Sequence, residues 1–323
     1  MIETKFAGLT LSNPIIIGSS GLTNTAEKNR ELEKAGAGAL VLKSLFEEQI
    51  SNEAASILDM ETHPEAADYV ATYFKENEVS NYLHLIRETK EKCTIPVIAS
   101  INCYTADSWI EFAHQIEAAG ADALELNIFS LNAEINPGEQ TLDDICLDIT
   151  RKLAGIVRIP IVVKLSKYFS RLVNLVNQLD HAGASGVVLF NRFYQPDIDI
   201  HTMQMNSGSV FSSHSDISDT LRWTGIVSGR LPQVSLVAST GIHDWEDIVK
   251  AILTGASAVE IVSTVYQHGN EMISQMVRSM EEWMTSMNFA SIEDFRGKMN
   301  YAQINDPTRY ERFQFMKYFS NRD

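Results

Sequence analysis

Eight short runs of β-branched and other apolar residues punctuate the chain: Pro14–Ser20, Ala39–Ser44, Pro96–Asn102, Ala123–Ile128, Pro160–Ser166, Gly186–Asn191, Ser235–Thr240 and Ala258–Thr264. Each alternates little internally, which predicts strands buried on both faces, as parallel strands are beneath helices. Amphipathic stretches between the runs predict helices over Thr25–Ala35, Ser80–Glu91, Ala106–Ala119, Leu142–Val157, Ser170–Ala182, Trp245–Thr254 and Glu271–Met287. Glycine follows four of them, at Gly36, Gly120, Gly183 and Gly255, where a left-handed cap ends a helix. Eight strands joined by helical crossovers predict an α/β fold, a (β/α)8 TIM barrel. An open doubly wound sheet is the alternative, and eight strands would be long for it.

Two segments exceed a minimal barrel. Phe46–Val79 is a long acidic connection after the second run, and Arg192–Pro232 is a polar, Ser-rich insertion after the sixth. Segments that follow strands lie on the C-terminal face of a barrel, so both are candidate lids or substrate walls, with surface decoration or an oligomer contact as the alternative. The expected organisation is one barrel domain over residues 1–323, with 192–232 inserted on that face. The tail Asn305–Asp323 carries Tyr310, Phe313, Phe315, Tyr318 and Phe319, and is expected to pack on the body or on a partner subunit.

Composition narrows the partners. Among 323 residues, 26 basic side chains face 42 acidic ones, a net charge of −16. Such a surface repels phosphate backbones and anionic lipid, so neither nucleic acid nor a membrane is an expected partner. Cys93, Cys103 and Cys146 form no CxxC and no disulfide framework, and no metal spacing is readable. The first residues lack a secretory pattern, and no window approaches about 18 uncharged apolar residues. A cytoplasmic protein with reduced thiols is the expectation.

The ends of the predicted strands carry polar residues: Ser19-Ser20-Gly21, Lys43-Ser44, Ser100 and Asn102, Glu125 and Asn127, Lys164 and Ser166, Asn191, Ser239-Thr240-Gly241 and Ser263-Thr264. In a barrel these positions build the active site. Two lysines among apolar strand residues need a compensating anion. With the serines and asparagines they suggest a pocket for an anionic, hydrogen-bond-rich ligand; the alternative is a buried Lys–Glu pair such as Lys164 with Glu125. Small residues after the last two strands leave backbone amides for a phosphate.

These motifs resemble the dihydroorotate dehydrogenase family of FMN barrels over most of the chain. Asn13-Pro14 with Gly18-Ser19-Ser20-Gly21 is similar to the family's opening motif. Gly36-Ala37-Gly38-Ala39 with Lys43-Ser44 is similar to its second strand, and Glu125-Leu126-Asn127 with Ser130 and Asn132 to its catalytic loop. Lys164 and Asn191 fall on family positions, as do Gly241-Ile242 and Gly255-Ala256-Ser257. The resemblance implies FMN held by Ser19, Ser20, Gly21, Lys43, Ser44, Ser100, Asn127, Lys164 and Asn191. Its phosphate would lie at Ser228-Gly229, Ser239-Thr240-Gly241 and Ser263-Thr264. Lys43, Asn127, Asn132 and Asn191 would bind substrate. Ser130 would be the base that removes a carbon-bound proton as hydride leaves for the flavin, and Lys164 would stabilise the reduced ring. A homodimer and an electron-transfer partner protein are also implied.

The chain departs from the family in three places. The substrate loop after strand two is replaced by Glu47-Glu48-Gln49-Ile50, Phe129 and Leu131 flank Ser130, and Arg192-Phe193 follow Asn191. The leading reading is an FMN-dependent dehydrogenase acting on a CH–CH bond beside a carbonyl, with dihydroorotate or a related small cyclic compound as substrate. The alternatives are a flavin-free lyase forming a Schiff base on Lys164 or Lys43, and a non-catalytic FMN-binding barrel. The scattered histidines read as solvated or capping, with His201 the one to watch as an acid or base. Cys103 reads as a buried thiol.

Overall fold

The computed structural model describes residues 2–46, 64–102, 110–128, 131, 141–193 and 195–311, without the side chains of 64–76 and of 111. Ser130, Asn132, Glu47, Glu48, Cys103 and the tail from 312 onward lie outside the described residues.

The chain opens with an antiparallel hairpin, β1 (Thr4–Phe6) and β2 (Leu9–Leu11), and then enters β3 (Ile15–Ile17). There follow α1 (Ala26–Lys34), β4 (Ala39–Val41), a short β5 (Leu45–Phe46), α2 (Pro64–Lys92) and β6 (Val97–Asn102). Next come α3 (Ile110–Ala118), β7 (Ala123–Asn127), α4 (Leu142–Ala154), β8 (Ile161–Leu165), α5 (Leu172–Ala182) and β9 (Gly186–Leu189). A second hairpin, β10 (Pro196–Asp199) and β11 (Gln204–Ser207), precedes α6 (Ile217–Arg230). The chain continues through β12 (Leu236–Ser239), α7 (Trp245–Leu253), β13 (Ala258–Ile261), α8 (Ser263–His268), α9 (Glu271–Ser286) and α10 (Thr308–Glu311).

The parallel ladder runs β4-β3-β13-β12-β9-β8-β7-β6 and closes where β4 pairs with β6, Leu40 opposite Val97. The expected eight strands thus form one (β/α)8 barrel. The glycines expected to stop helices do so: Gly36, Gly120, Gly183 and Gly255 all take positive φ, between 98° and 113°.

Three elements differ from expectation. Helix α2 starts at Pro64, so the latter part of the Phe46–Val79 connection is helical. The long segment after β9 holds the β10–β11 hairpin and then the whole of α6, whose small and polar residues Thr220, Thr224, Gly225 and Ser228 hid its helical period. The final strand stops at Ile261, and Ser263 and Thr264 open α8.

Closure gives each strand an outer face under the helices and an inner face in the barrel. The outer set (Ile17, Leu40, Ile101, Leu124, Val163, Leu189 and their neighbours) packs against α1 to α9. Met276, Met280 and Met284 of α9 join it as the helical spacing predicts. The inner set is separate: Ile16, Ala39, Val41, Ile98, Ala123, Val162, Val188, Val237 and Ala258 fill the barrel, with Phe6 and Leu11 of the first hairpin. Phe6 plugs the N-terminal end so tightly that a Cβ on Gly186 would stand 2.7 Å from its ring. Tyr310 of the tail packs on Gly225, where a Cβ would stand 2.5 Å from its ring.

Candidate functional site

Side chains two residues apart on a strand share a face. One step toward the C-terminal end from the inner apolar set stand Ser100 after Ile98, Glu125 after Ala123, Lys164 after Val162, Ser239 after Val237 and Glu260 after Ala258. The barrel therefore changes from apolar to polar within one layer. All five residues are buried.

Lys164 is the hub. Its Nζ makes a short ion pair with Glu260 and lies 3.9 Å from Glu125 Oε1. Burial opposes its charge, but Glu125 and Glu260 outweigh that and hold Lys164 above the ordinary lysine value. Burial and the Glu260 carboxylate push Glu125 up to about 8, against the pull of Lys164. The cluster is thus a lysine held charged between two glutamates, of which burial makes Glu125 hard to ionise. The anion expected beside Lys164 is supplied chiefly by Glu260. Sequence reading passed over Glu260 as part of an apolar run, although its place two residues after an inward alanine matches that of Glu125.

Beside this cluster runs a line of neutral polar groups. Ser19 Oγ accepts from Ser44 N at 2.7 Å, Ser44 Oγ lies 2.8 Å from Ser100 Oγ, and Asn127 Nδ2 donates to Ser100 Oγ at 2.9 Å and Glu125 Oε1 at 3.1 Å. Asn191 Nδ2 then donates to Asn127 Oδ1 at 3.1 Å. Burying so many polar atoms is tolerable because they satisfy one another.

Two adjoining cavities open above these residues and share Ser19, Lys164, Asn191 and Arg192. One, about 290 Å³, extends past Glu260 to Ser239, Thr240, Gly241 and Ser263. The other, about 270 Å³, is bounded by Ser20, Lys43, Ser44, Asn102 and Asn127. In the first, Thr240 and Gly241 take positive φ of 79° and 85°. Gly241 passes so close to α6 that a Cβ would stand 2.2 Å from Ile217 N. Ser212 joins this end, its N–H donating to Ser263 Oγ at 3.0 Å. Behind it His243 is buried, its Nε2 3.1 Å from Ser212 Oγ, and burial lowers its pKa. It is neither solvated nor a cap; Asp244 caps α7.

Most of the expected site residues are brought together. Ser19, Ser20, Lys43, Ser44, Asn127, Lys164, Asn191, Ser239, Thr240, Gly241 and Ser263 all line the cavities. Lys43 does so from an exposed rim position rather than from inside the barrel. Ser100 stands one layer behind, bonded to Asn127, and Gly21 lies under the Tyr266 hydroxyl. Thr264 is fully buried, donating to Ile242 O.

Ser228 and Gly229 are corrected. They sit near the C-terminus of α6, at the opposite end of the barrel, where Ser228 Oγ donates to Thr254 O at 2.6 Å and Gly229 abuts Tyr301. Ser209, Val210 and Ser212, before α6, do line the cavity. A buried serine in a helix and a serine in a turn read alike when the helix itself is missed.

The donor set suits a phosphorylated cofactor. Ser207, Ser209, Ser212, Ser239 and Ser263, with Thr240 and Gly241, line one end of the groove. The polar layer with Lys164 stands at the other. Among the described residues no helix is long and apolar enough to cross a membrane.

A (β/α)8 barrel with its polar chemistry gathered at the C-terminal strand ends is an enzyme architecture. The model of the dihydroorotate dehydrogenase family matches residues 1–284, and the chain belongs to that family of oxidoreductases, whose members are generally flavin-dependent. Curated relatives agree. The chain is similar to the Thermoplasma volcanium protein named dihydroorotate dehydrogenase B (NAD(+)), catalytic subunit, at 25% identity over 89% of this chain and 95% of the relative. A Pyrococcus abyssi protein of the same name is 26% identical over 90% and 96%. An Aeropyrum pernix protein provisionally named dihydroorotate dehydrogenase A (fumarate) is 27% identical over 90% and 94%.

Proposed function

We propose that the protein is an FMN-dependent dehydrogenase that oxidises a CH–CH bond beside a carbonyl, dihydroorotate to orotate or a related small cyclic compound. The observation that carries this reading is the buried, charge-paired Lys164 at the floor of a groove whose far end is lined by serines and the Thr240-Gly241 turn. FMN, when bound, supplies the hydride acceptor. Ser212, Ser239–Gly241 and Ser263 would hold its phosphate, and Ser19, Ser20, Ser44, Lys164 and Asn191 its ring and chain. Lys43, Asn127, Asn132 and Asn191 orient the substrate. Ser130 takes the carbon-bound proton.

A pyrimidine-pathway role, a homodimer, a cytoplasmic location and an electron-accepting partner belong to the same reading. A partner subunit is favoured over fumarate only in that two of the three relatives above bear the catalytic-subunit name. The lyase alternative is disfavoured for Lys164. A Schiff-base lysine needs a depressed pKa, and Glu125 and Glu260 hold Lys164 raised.

The test is a visible spectrum of the purified chain followed by anaerobic dihydroorotate. Flavin bands that bleach, and that bleach roughly 10²–10⁴-fold more slowly in Ser130→Ala, support the reading. Bands that stay coloured keep the flavin and discard the substrate. A chain that takes up no FMN discards both.

A further inference from the structure

The two cavities of the groove are lined by three cations and, among the described residues, by one acid. Lys43 is exposed at the rim. Arg192 is tied back through Nη1 to the carbonyls of Ser209 and Val210, each at 2.9 Å. Lys164 is the cation of the barrel floor, and the acid, Glu260, pairs directly with it. A groove for a phosphate and an electron-rich ring gains from each cation and loses from each anion. A carboxylate in its floor therefore works against the binding it borders.

Lys164 does not need Glu260 merely to be buried, because Glu125 Oε1 lies 3.9 Å from the same Nζ. Burial, and then the Glu260 carboxylate, instead push Glu125 up to about 8 and make it the poorer counter-ion. The Glu260 carboxylate is closed in by Gly18, where a Cβ would stand 3.1 Å from Oε2. Its side chain is 2% exposed against 8% for Lys164, so the lysine is the more accessible member of the pair. An ammonium paired this closely presents little net charge to a group bound above it.

We infer that Glu260 is a positioning residue for redox chemistry: its carboxylate neutralises Lys164 and so holds down the pull of that lysine on a reduced flavin. This rests on the FMN reading above. Hydride uptake leaves the flavin ring with a negative charge, which an unpaired cation beside it would favour. With Glu260 in place the bound flavin is easier to reoxidise and is tilted toward passing its electrons on.

The experiment uses the FMN-loaded protein and reads two quantities without turnover. One is the two-electron midpoint potential. The other is the affinity for sulfite, an anion that adds to oxidised flavin and so senses the same charge. Glu260→Gln is expected to bind sulfite roughly 10- to 100-fold more tightly. Its potential should rise by about 30 mV for each tenfold change in the reduction equilibrium. Glu260→Asp draws the carboxylate back from Nζ and should tighten sulfite roughly 2- to 5-fold, between parent and glutamine. Glu125→Gln, which leaves the Glu260 pair intact, should stay within about 3-fold of the parent. A merely structural role for Glu260 would not order the three side chains in this way.

Sulfite affinities and potentials of Glu260→Gln and Glu260→Asp no higher than the parent's would overturn the inference while the flavin reading stands. A shift that appears only when Glu125→Gln is added to Glu260→Gln would give the role to Glu125 and overturn the assignment to Glu260. If Glu260→Gln takes up no FMN, the aspartate variant decides alone. A parent chain that takes up no FMN overturns the reading beneath.

Discussion

Two adjacent layers of the barrel interior are built from the same strands and differ completely in chemistry. The lower layer is Ile16, Ile98, Ala123, Val162, Val188, Val237 and Ala258, closed below by Phe6. The upper layer, one step along the same strands, is Ser100, Glu125, Lys164, Ser239 and Glu260. Both are shut away from water. The lower is held by area buried and close packing, which no single partner controls. The upper is held by pairing, so each member depends on the others. A barrel can place reactive groups in a dry site only if a packed layer beneath keeps its strands in register, and only if every charge placed there has a counterpart.

Lys164→Met should break this contrast most severely. It leaves Glu260 without its cation in a buried site, and is expected to cost about 3–5 kcal/mol in denaturant unfolding. A loss under about 1 kcal/mol would show that the upper layer does not depend on the pair.

Glu125→Gln should act more gently and through pH. The folded chain holds the Glu125 proton up to about 8, while an unfolded one releases it near 4.5. The stability this group contributes is therefore fully present below about 4.5 and is lost as pH rises through about 8. The glutamine cannot lose a proton, so its unfolding free energy should fall less than that of the parent between pH ~5 and ~9. Parallel curves would show that Glu125 is ionised throughout.

Ile98→Val, in the lower layer, is expected to cost about 0.5–1.5 kcal/mol with no dependence on pH. A pH-dependent loss there would mean that the layers are electrostatically coupled.

Much of this architecture was legible in the sequence. All eight strands, and the helices from Ala26–Lys34 to Glu271–Ser286 that show a clear apolar period, lie where the pattern puts them. Helix Ile217–Arg230 did not show, because its buried face is largely Thr220, Thr224, Gly225 and Ser228 rather than large apolar residues. With that helix unread, Ser228-Gly229 were expected at the strand-end face, whereas they lie near the helix's C-terminus. Lys164 and Asn127 could be found from their motifs. Glu260 could not, since a glutamate inside an apolar run points nowhere until the opposite strands are known.

The sequence alone determined which segments are strands, where helices stop at glycine, and that polar residues collect at the strand ends; these are local properties of backbone and side chain. Which strand residues face inward was decided by closure of the barrel. Runs buried on both faces carry no alternation to read, so only the pairing of β4 with β6 sets the inner face and brings Lys164 to Glu260, 96 residues apart in the chain.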